Sequence, residues 1–68
     1  MKQRLKALRL AHSLTQTEVA EFISCDQSLY SKYEREERAL PLDLAISLAD
    51  YYGITLDYLV GRTDTPAE

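Results

Sequence analysis

Apolar side chains recur along this chain with a helical period and never settle into the alternation that a strand needs. Leu5, Leu8 and Ala11 make one stripe, which predicts a first helix near residues 2–11, interrupted at Ser13. Thr15 followed three residues later by Glu18 is a capping-box pair, in which each side chain satisfies a backbone N–H at a helix start. It opens a second helix near 16–23, with Val19, Ala20, Phe22 and Ile23 available for a core. Ser24-Cys25-Asp26 reads as a short turn, and Asp26 is a good N-cap for a third helix from Gln27 to Arg35. A charged loop from Glu36 to Pro41 precedes a fourth helix over Leu42 to Tyr52, with Ala45, Leu48, Ala49 and Tyr52 turned inward and Gly53 as its stop. Thr55 caps a short fifth helix near 56–60 that ends at Gly61. The expected organisation is one compact all-α domain over residues 1–62, followed by a flexible polar tail over 63–68.

Within that pattern, residues 14–34 hold two short helices joined by a three-to-four-residue turn, which make a helix-turn-helix if they cross steeply. A steep crossing needs a small residue at the contact, and Ala20 supplies one, although alanine is also simply a good helix former. The third helix is more telling. At about 100° per residue, Gln27, Ser28, Ser31 and Lys32 share one arc, while Leu29, Tyr30, Tyr33 and Glu34 share the opposite one. The first arc offers an amide, two hydroxyls and a cation, which are the groups that hydrogen-bond base edges in a major groove. A plain solvated surface is the competing reading of the same arc.

Composition narrows the classes. With 68 residues, 46% hydrophobic and 28% charged, the chain fits one small globular domain. It has no apolar run of about 18 residues to span a membrane, and its basic start lacks the apolar stretch of a signal peptide. A lone cysteine, Cys25, excludes an internal disulfide and fits a reducing cytoplasm. The net charge of −3 does not itself favour nucleic acid, so its distribution matters. Residues 1–9 carry +4 from Lys2, Arg4, Lys6 and Arg9, residues 10–38 carry −3, and residues 39–68 carry −4. His12 reads as a surface residue, Cys25 as a small apolar one, and most of the five tyrosines as packing residues with their hydroxyls at the edge. No phosphate-cradling glycine loop, Cys/His metal cluster or paired nucleophile and base is evident, so neither enzyme activity nor a cofactor is expected.

The order and spacing of several segments resemble the lambda-repressor-like, Cro-type helix-turn-helix family, also called the XRE family. The segments are Leu8-Arg9, the run Leu14-Thr15-Gln16-Thr17-Glu18-Val19-Ala20, Ser31-Lys32-Tyr33-Glu34, Leu40-Pro41 and Ile54-Thr55-Leu56-Asp57-Tyr58-Leu59. The similarity they carry extends over nearly all of residues 2–63. The resemblance implies a five-helix DNA-binding domain acting as a transcriptional regulator, a repressor by occupancy, in the cytoplasm. It implies base contacts from Gln27, Ser28, Ser31 and Lys32, of which Gln27 is the best placed because one amide can bond adenine N6 and N7 together. Phosphate contacts fall to Gln16 and Thr17 at the start of helix two and to Arg35 and Arg38 around the loop. Arg9 and Glu34 match family positions that form an ion pair between helices one and three. Family members usually dimerise on pseudo-palindromic sites with half-site centres about 34 Å apart, and the expected dimer surface here is Leu42, Ile54, Tyr58 and Val60. With no added effector domain expected, regulation by a small molecule has no support in the sequence.

The chain departs from that pattern in three places. Ser13 and Ser24 stand where glycine commonly supplies a left-handed backbone. Glu36 and Glu37 occupy a loop that is usually glycine-containing and often basic. Asp26 takes a cap position often held by serine or threonine. Carboxylates near DNA repel it, so these positions predict modest or strongly salt-dependent affinity. Two rivals therefore stand beside DNA binding. One is an antirepressor-like or antitoxin-like protein-interaction module, favoured by the acidic loop and C-terminal half; the other is a folded remnant with no ligand.

Overall fold

In a computed structural model, which describes residues 3–66, four of the five helices begin where a side chain accepts a free backbone N–H, and the fourth in order begins after Pro41 without one. Their order is α1 (Leu5–Ala11), α2 (Gln16–Phe22), α3 (Gln27–Glu34), α4 (Leu42–Tyr52) and α5 (Leu56–Leu59), with no strand among the described residues. Thr15 Oγ1 accepts the Glu18 N–H at 3.1 Å while Glu18 Oε1 accepts the Thr15 N–H at 2.9 Å, so the capping box at α2 is complete. Asp26 Oδ1 caps α3 by accepting the Leu29 N–H at 2.8 Å, and Thr55 Oγ1 caps α5 through the Tyr58 N–H at 3.1 Å. At the far end of α4, Gly53 takes φ 69° and closes the helix.

Three expectations change. The first helix starts at Leu5, not near residue 2. Gln3 Oε1 takes the Leu5 N–H at 2.6 Å, and the Arg4 N–H turns to the Leu59 carbonyl at 2.8 Å, so Arg4 pairs with α5 instead of extending α1. Lys2, at the expected start, lies outside the described residues. Ala11 is exposed, and Arg9 is buried on the inner side with Leu5. Phe22 is 49% exposed because it lies about 100° around α2 from the middle of the Val19–Ala20–Ile23 arc. Its ring packs on Tyr51 instead, with centroids 4.4 Å apart. The remaining helix ends agree to within a residue.

The core is one cluster drawn from every helix: Leu5, Val19, Ala20, Ile23, Tyr30, Tyr33, Leu59 and the predicted α4 stripe of Ala45, Leu48, Ala49 and Tyr52. The described chain has a radius of gyration of 10.9 Å, and α2 packs on α3 as α4 packs on α5. His12 is exposed against the buried Tyr52, with ring centroids 4.8 Å apart. Two of the five tyrosines, Tyr30 and Tyr52, have hydroxyls that are buried and make no hydrogen bond. Burial pushes the Tyr52 phenol up to about 12. The part of the polar tail from Thr63 to Pro66 is hydrogen-bonded: Arg4 donates to the Thr63 carbonyl at 3.0 Å and to Asp64 at 2.8 Å, and the Thr55 N–H donates to the Pro66 carbonyl at 3.0 Å. Ala67 and Glu68 lie outside the described residues.

Three residues other than glycine hold the left-handed conformation: Ser13 at φ 56°, Ser24 at φ 57° and Glu36 at φ 60°. The serines stand where glycine was missed in the sequence, and Glu36 adds a third case. Left-handed backbone costs a side-chain-bearing residue about 1–2 kcal/mol, part of which glycine returns as chain entropy in the unfolded state. Glu36→Gly is therefore expected to raise stability by up to about 1 kcal/mol, read by chemical denaturation, with Glu36→Ala showing no gain.

Candidate nucleic-acid interface

Helices α2 and α3 with the turn Ile23–Asp26 form the helix-turn-helix. The turn is closed by backbone bonds from Ser24 N–H to the Glu21 carbonyl at 3.2 Å and from Cys25 N–H to the Ala20 carbonyl at 2.9 Å. These bonds need the left-handed Ser24. Cys25 is half-buried against the core, and burial, aided by Asp26, pushes its thiol up and away from reactivity.

The sides of α3 are distinct. Tyr30 and Tyr33 are buried and Leu29 half-buried, while Gln27, Ser28 and Lys32 are exposed and Ser31 is half-buried between them. Among the described residues Lys32 makes no ion pair. The amide of Gln27 and the hydroxyl of Ser28 lie in the first turn of α3, at the positive end of its dipole, while Ser31 and the Lys32 cation continue the same side toward the other end.

Behind this face a chain of hydrogen bonds runs into the protein. Arg9 Nε donates to Glu34 Oε2 at 2.6 Å and Arg9 Nη2 to Glu34 Oε1 at 3.2 Å, a two-point ion pair. The two side chains are only 10% and 3% exposed. Arg9 Nη1 also donates to the Leu14 carbonyl at 3.0 Å. Gln16 Nε2 donates to Glu34 Oε1 at 3.1 Å, and Gln27 Nε2 donates to Gln16 Oε1 at 2.5 Å. Burial pushes the Glu34 carboxyl up, but the hydrogen bonds from Arg9 and Gln16 and the charge of Arg9 outweigh it and hold the group below the usual carboxylate range. The same bond from Glu34 raises Arg9 further.

This chain has a fixed direction. An ionised carboxylate only accepts, so Gln16 must turn its NH₂ toward Glu34 and its carbonyl toward Gln27. Gln27 then gives one of its two amide protons to Gln16. Its other proton and its carbonyl oxygen make no hydrogen bond among the described residues, and an amide N–H with its carbonyl oxygen is the pair that adenine N7 and N6 require. The buried ion pair thereby orients the side chain at the surface.

The other sites flagged in the sequence are spread around this centre. Thr17 is exposed beside Gln16. Arg35 is exposed and lies 3.2 Å from Glu37, so each offsets the other's charge, while Arg38 is exposed with no ion pair among the described residues. Asp26 has its carboxylate committed to the α3 cap. Leu42 is exposed, and Ile54, Tyr58 and Val60 are half-buried. The Tyr58 ring is partly covered by the Arg4 guanidinium, 4.1 Å from its centroid. The sequence reading missed the Gln16–Gln27 bond, for which two glutamines at the starts of adjacent helices were the available signal. It also missed Gln3 and Arg4, which touch α3 and α5 across gaps of 30 or more residues. Among the described residues there is no metal-binding cluster of His, Cys, Asp or Glu and no helix long and apolar enough to cross a membrane.

Comparison with known proteins agrees with this geometry. A family model described as helix-turn-helix matches residues 5–59. An uncharacterized HTH-type transcriptional regulator of Bacillus subtilis, YobD, is 45% identical over 64 residues, covering 94% of this chain and 57% of the relative. The HTH-type transcriptional regulator ImmR of the same organism is 34% identical over 62 residues, covering 91% of this chain and 49% of the relative. The chain thus spans about half the length of the curated relatives it matches. No solved structure matches. With a single family model spanning α1 to α5 and both relatives matched over more than nine-tenths of the chain, the chain belongs to the helix-turn-helix family, in its lambda-repressor-like form.

Proposed function

We propose that this chain binds duplex DNA by sequence and regulates transcription, as a repressor that occupies a pseudo-palindromic operator as a dimer. The observation that carries the reading is the oriented amide of Gln27, exposed beside Ser28, Ser31 and Lys32 and held from behind by Gln16 and the buried Arg9–Glu34 pair. α3 lies in the major groove with its N-terminal end toward the bases. Gln16, Thr17, Arg35 and Arg38 meet phosphates, and the last two set register without reading sequence. The names of the two relatives, both transcriptional regulators, support the same assignment. A single α3 spans only a few base pairs, so two copies are needed, joined through Leu42, Ile54, Tyr58 and Val60 with half-sites about 34 Å apart. The site of action is the cytoplasm.

Selection from a random duplex library tests this. An inverted repeat should emerge, with half-sites one helical turn apart. A library that stays random at every salt concentration tried, with only steeply salt-dependent binding, would contradict the reading.

A protein-interaction role is favoured by one observation, the exposed stacked pair of Phe22 and Tyr51 with Leu42 and Ile46 also exposed on α4. On that reading duplex selection fails, and substitutions at Phe22 and Tyr51, not at Gln27, abolish function.

A further inference from the structure

The recognition helix is held at its C-terminal end by a residue that lies before α1. Gln3 Nε2 donates to the Tyr33 carbonyl at 2.8 Å and to the Glu34 carbonyl at 3.2 Å, the last two residues of α3. Its Oε1 accepts the Leu5 N–H at 2.6 Å, at the first residue of α1. One amide therefore caps the end of one helix and the start of another. The bond to Tyr33 shares its carbonyl with a backbone donor, but the bond to Glu34 does not. Backbone N–H groups of Arg35 and Glu37 serve the Ser31 and Lys32 carbonyls, and that of Glu36 serves Tyr33. The Glu34 carbonyl meets no backbone N–H among the described residues, so Gln3 is its partner.

A second, separate observation concerns space. A hollow of about 390 Å³ is lined by Gln3 with Tyr33, Arg38, Leu40 and Leu59 among others. A second hollow of about 300 Å³ is lined by Gln3 with Lys6, Leu10 and Glu34 among others. Gln3 borders both, so open space adjoins its contact with the end of α3. Glu34 is consequently gripped twice from the α1 side, through its carboxylate by Arg9 and through its carbonyl by Gln3.

We infer that Gln3 is a positioning residue for DNA recognition: it fixes the C-terminal end of α3, and with it the tilt at which Gln27, Ser28, Ser31 and Lys32 enter the groove. The functional half of this inference rests on the DNA-binding reading above. The structural half does not.

Two variants separate the two bonds. Gln3→Glu keeps an acceptor for Leu5 but cannot donate, and places a negative charge against the carbonyl end of α3. Gln3→Lys keeps a donor for α3, with a charge that suits that end, but has no acceptor for Leu5. Amide hydrogen exchange on the full chain should show faster exchange at Glu36 and Glu37 in Gln3→Glu, and faster exchange at Leu5 with an unchanged α3 end in Gln3→Lys. On a duplex recovered by selection, Gln3→Glu should lower the ratio of specific to random-duplex affinity by about five- to tenfold, and Gln3→Lys should restore it. Taking the ratio removes the uniform effect of the added charge on phosphate attraction. Unchanged exchange at Glu36 and Glu37 in Gln3→Glu overturns the inference, as does altered exchange with an unaltered ratio. A wild-type chain that binds no duplex overturns the DNA reading instead, and the exchange data then still decide whether Gln3 holds α3.

Discussion

Arg9→Ala is expected to cost the domain about 3–5 kcal/mol, enough to leave a domain of this size largely unfolded. The loss is not mainly that of the attraction. Glu34 is 3% exposed, and without Arg9 its carboxylate stays buried with Gln16 as its strongest remaining partner, while the Leu14 carbonyl loses a donor. Replacing both partners by apolar residues of similar size removes the stranded charge and should be much milder. Thermal unfolding followed by circular dichroism compares the two. Equal losses in the single and double variants would contradict a buried, coupled pair.

The same pair sets the acid limb of stability. The folded-state value of Glu34 is depressed below the ordinary carboxylate value of about 4.3. Its contribution is thus fully present above that pH and is lost as pH falls through the depressed folded value. Tyr52 has the opposite sense: its folded value is raised to about 12. Its contribution is present below the unfolded phenol value of about 10 and is lost as pH climbs from there toward the folded one. Between these limbs neither group changes its contribution, and Tyr52→Phe should weaken the alkaline one.

Gln27→Ala is expected to lower affinity for a selected operator about 10- to 100-fold while leaving random-duplex binding and stability unchanged. Its side chain is exposed and supports no core contact, so the cost falls on recognition. The free proton and carbonyl of Gln27 are oriented by Gln16, and Gln16 by the ionised Glu34. Gln16 and Gln27 should consequently be non-additive in a double-mutant cycle on operator affinity. Fluorescence anisotropy on operator and random duplexes reads both quantities. An equal fall on both duplexes would mean that Gln27 supports the fold or meets phosphate, and does not read a base.

Much of this was legible in the sequence, for identifiable reasons. Thr15 with Glu18, Asp26, Thr55 and Gly53 are local signals, each acting within a few residues of itself, and each stands at the helix end it marks. The α4 stripe follows from periodicity alone. Phe22 misled because an apolar residue on the flank of a seven-residue helix can face either way, and its partner Tyr51 lies in another helix. The start of α1 was misplaced because Gln3 and Arg4 answer to Tyr33, Tyr58 and Leu59, contacts that no local pattern announces. The faces of α3 could be read from spacing, but the direction of the amide chain behind them could not, since it depends on three helices meeting at Glu34.

The most direct test of whether the polar face of α3 reads DNA is a nuclear magnetic resonance titration of the isotope-labelled chain with a selected duplex. The largest changes should fall on the side-chain amides of Gln27 and Gln16 and on the backbone of Ser28, Ser31 and Lys32, with contacts between the Gln27 amide and a base. Changes confined to α4 and the Phe22–Tyr51 pair, or a titration that leaves the α3 face untouched, would contradict it.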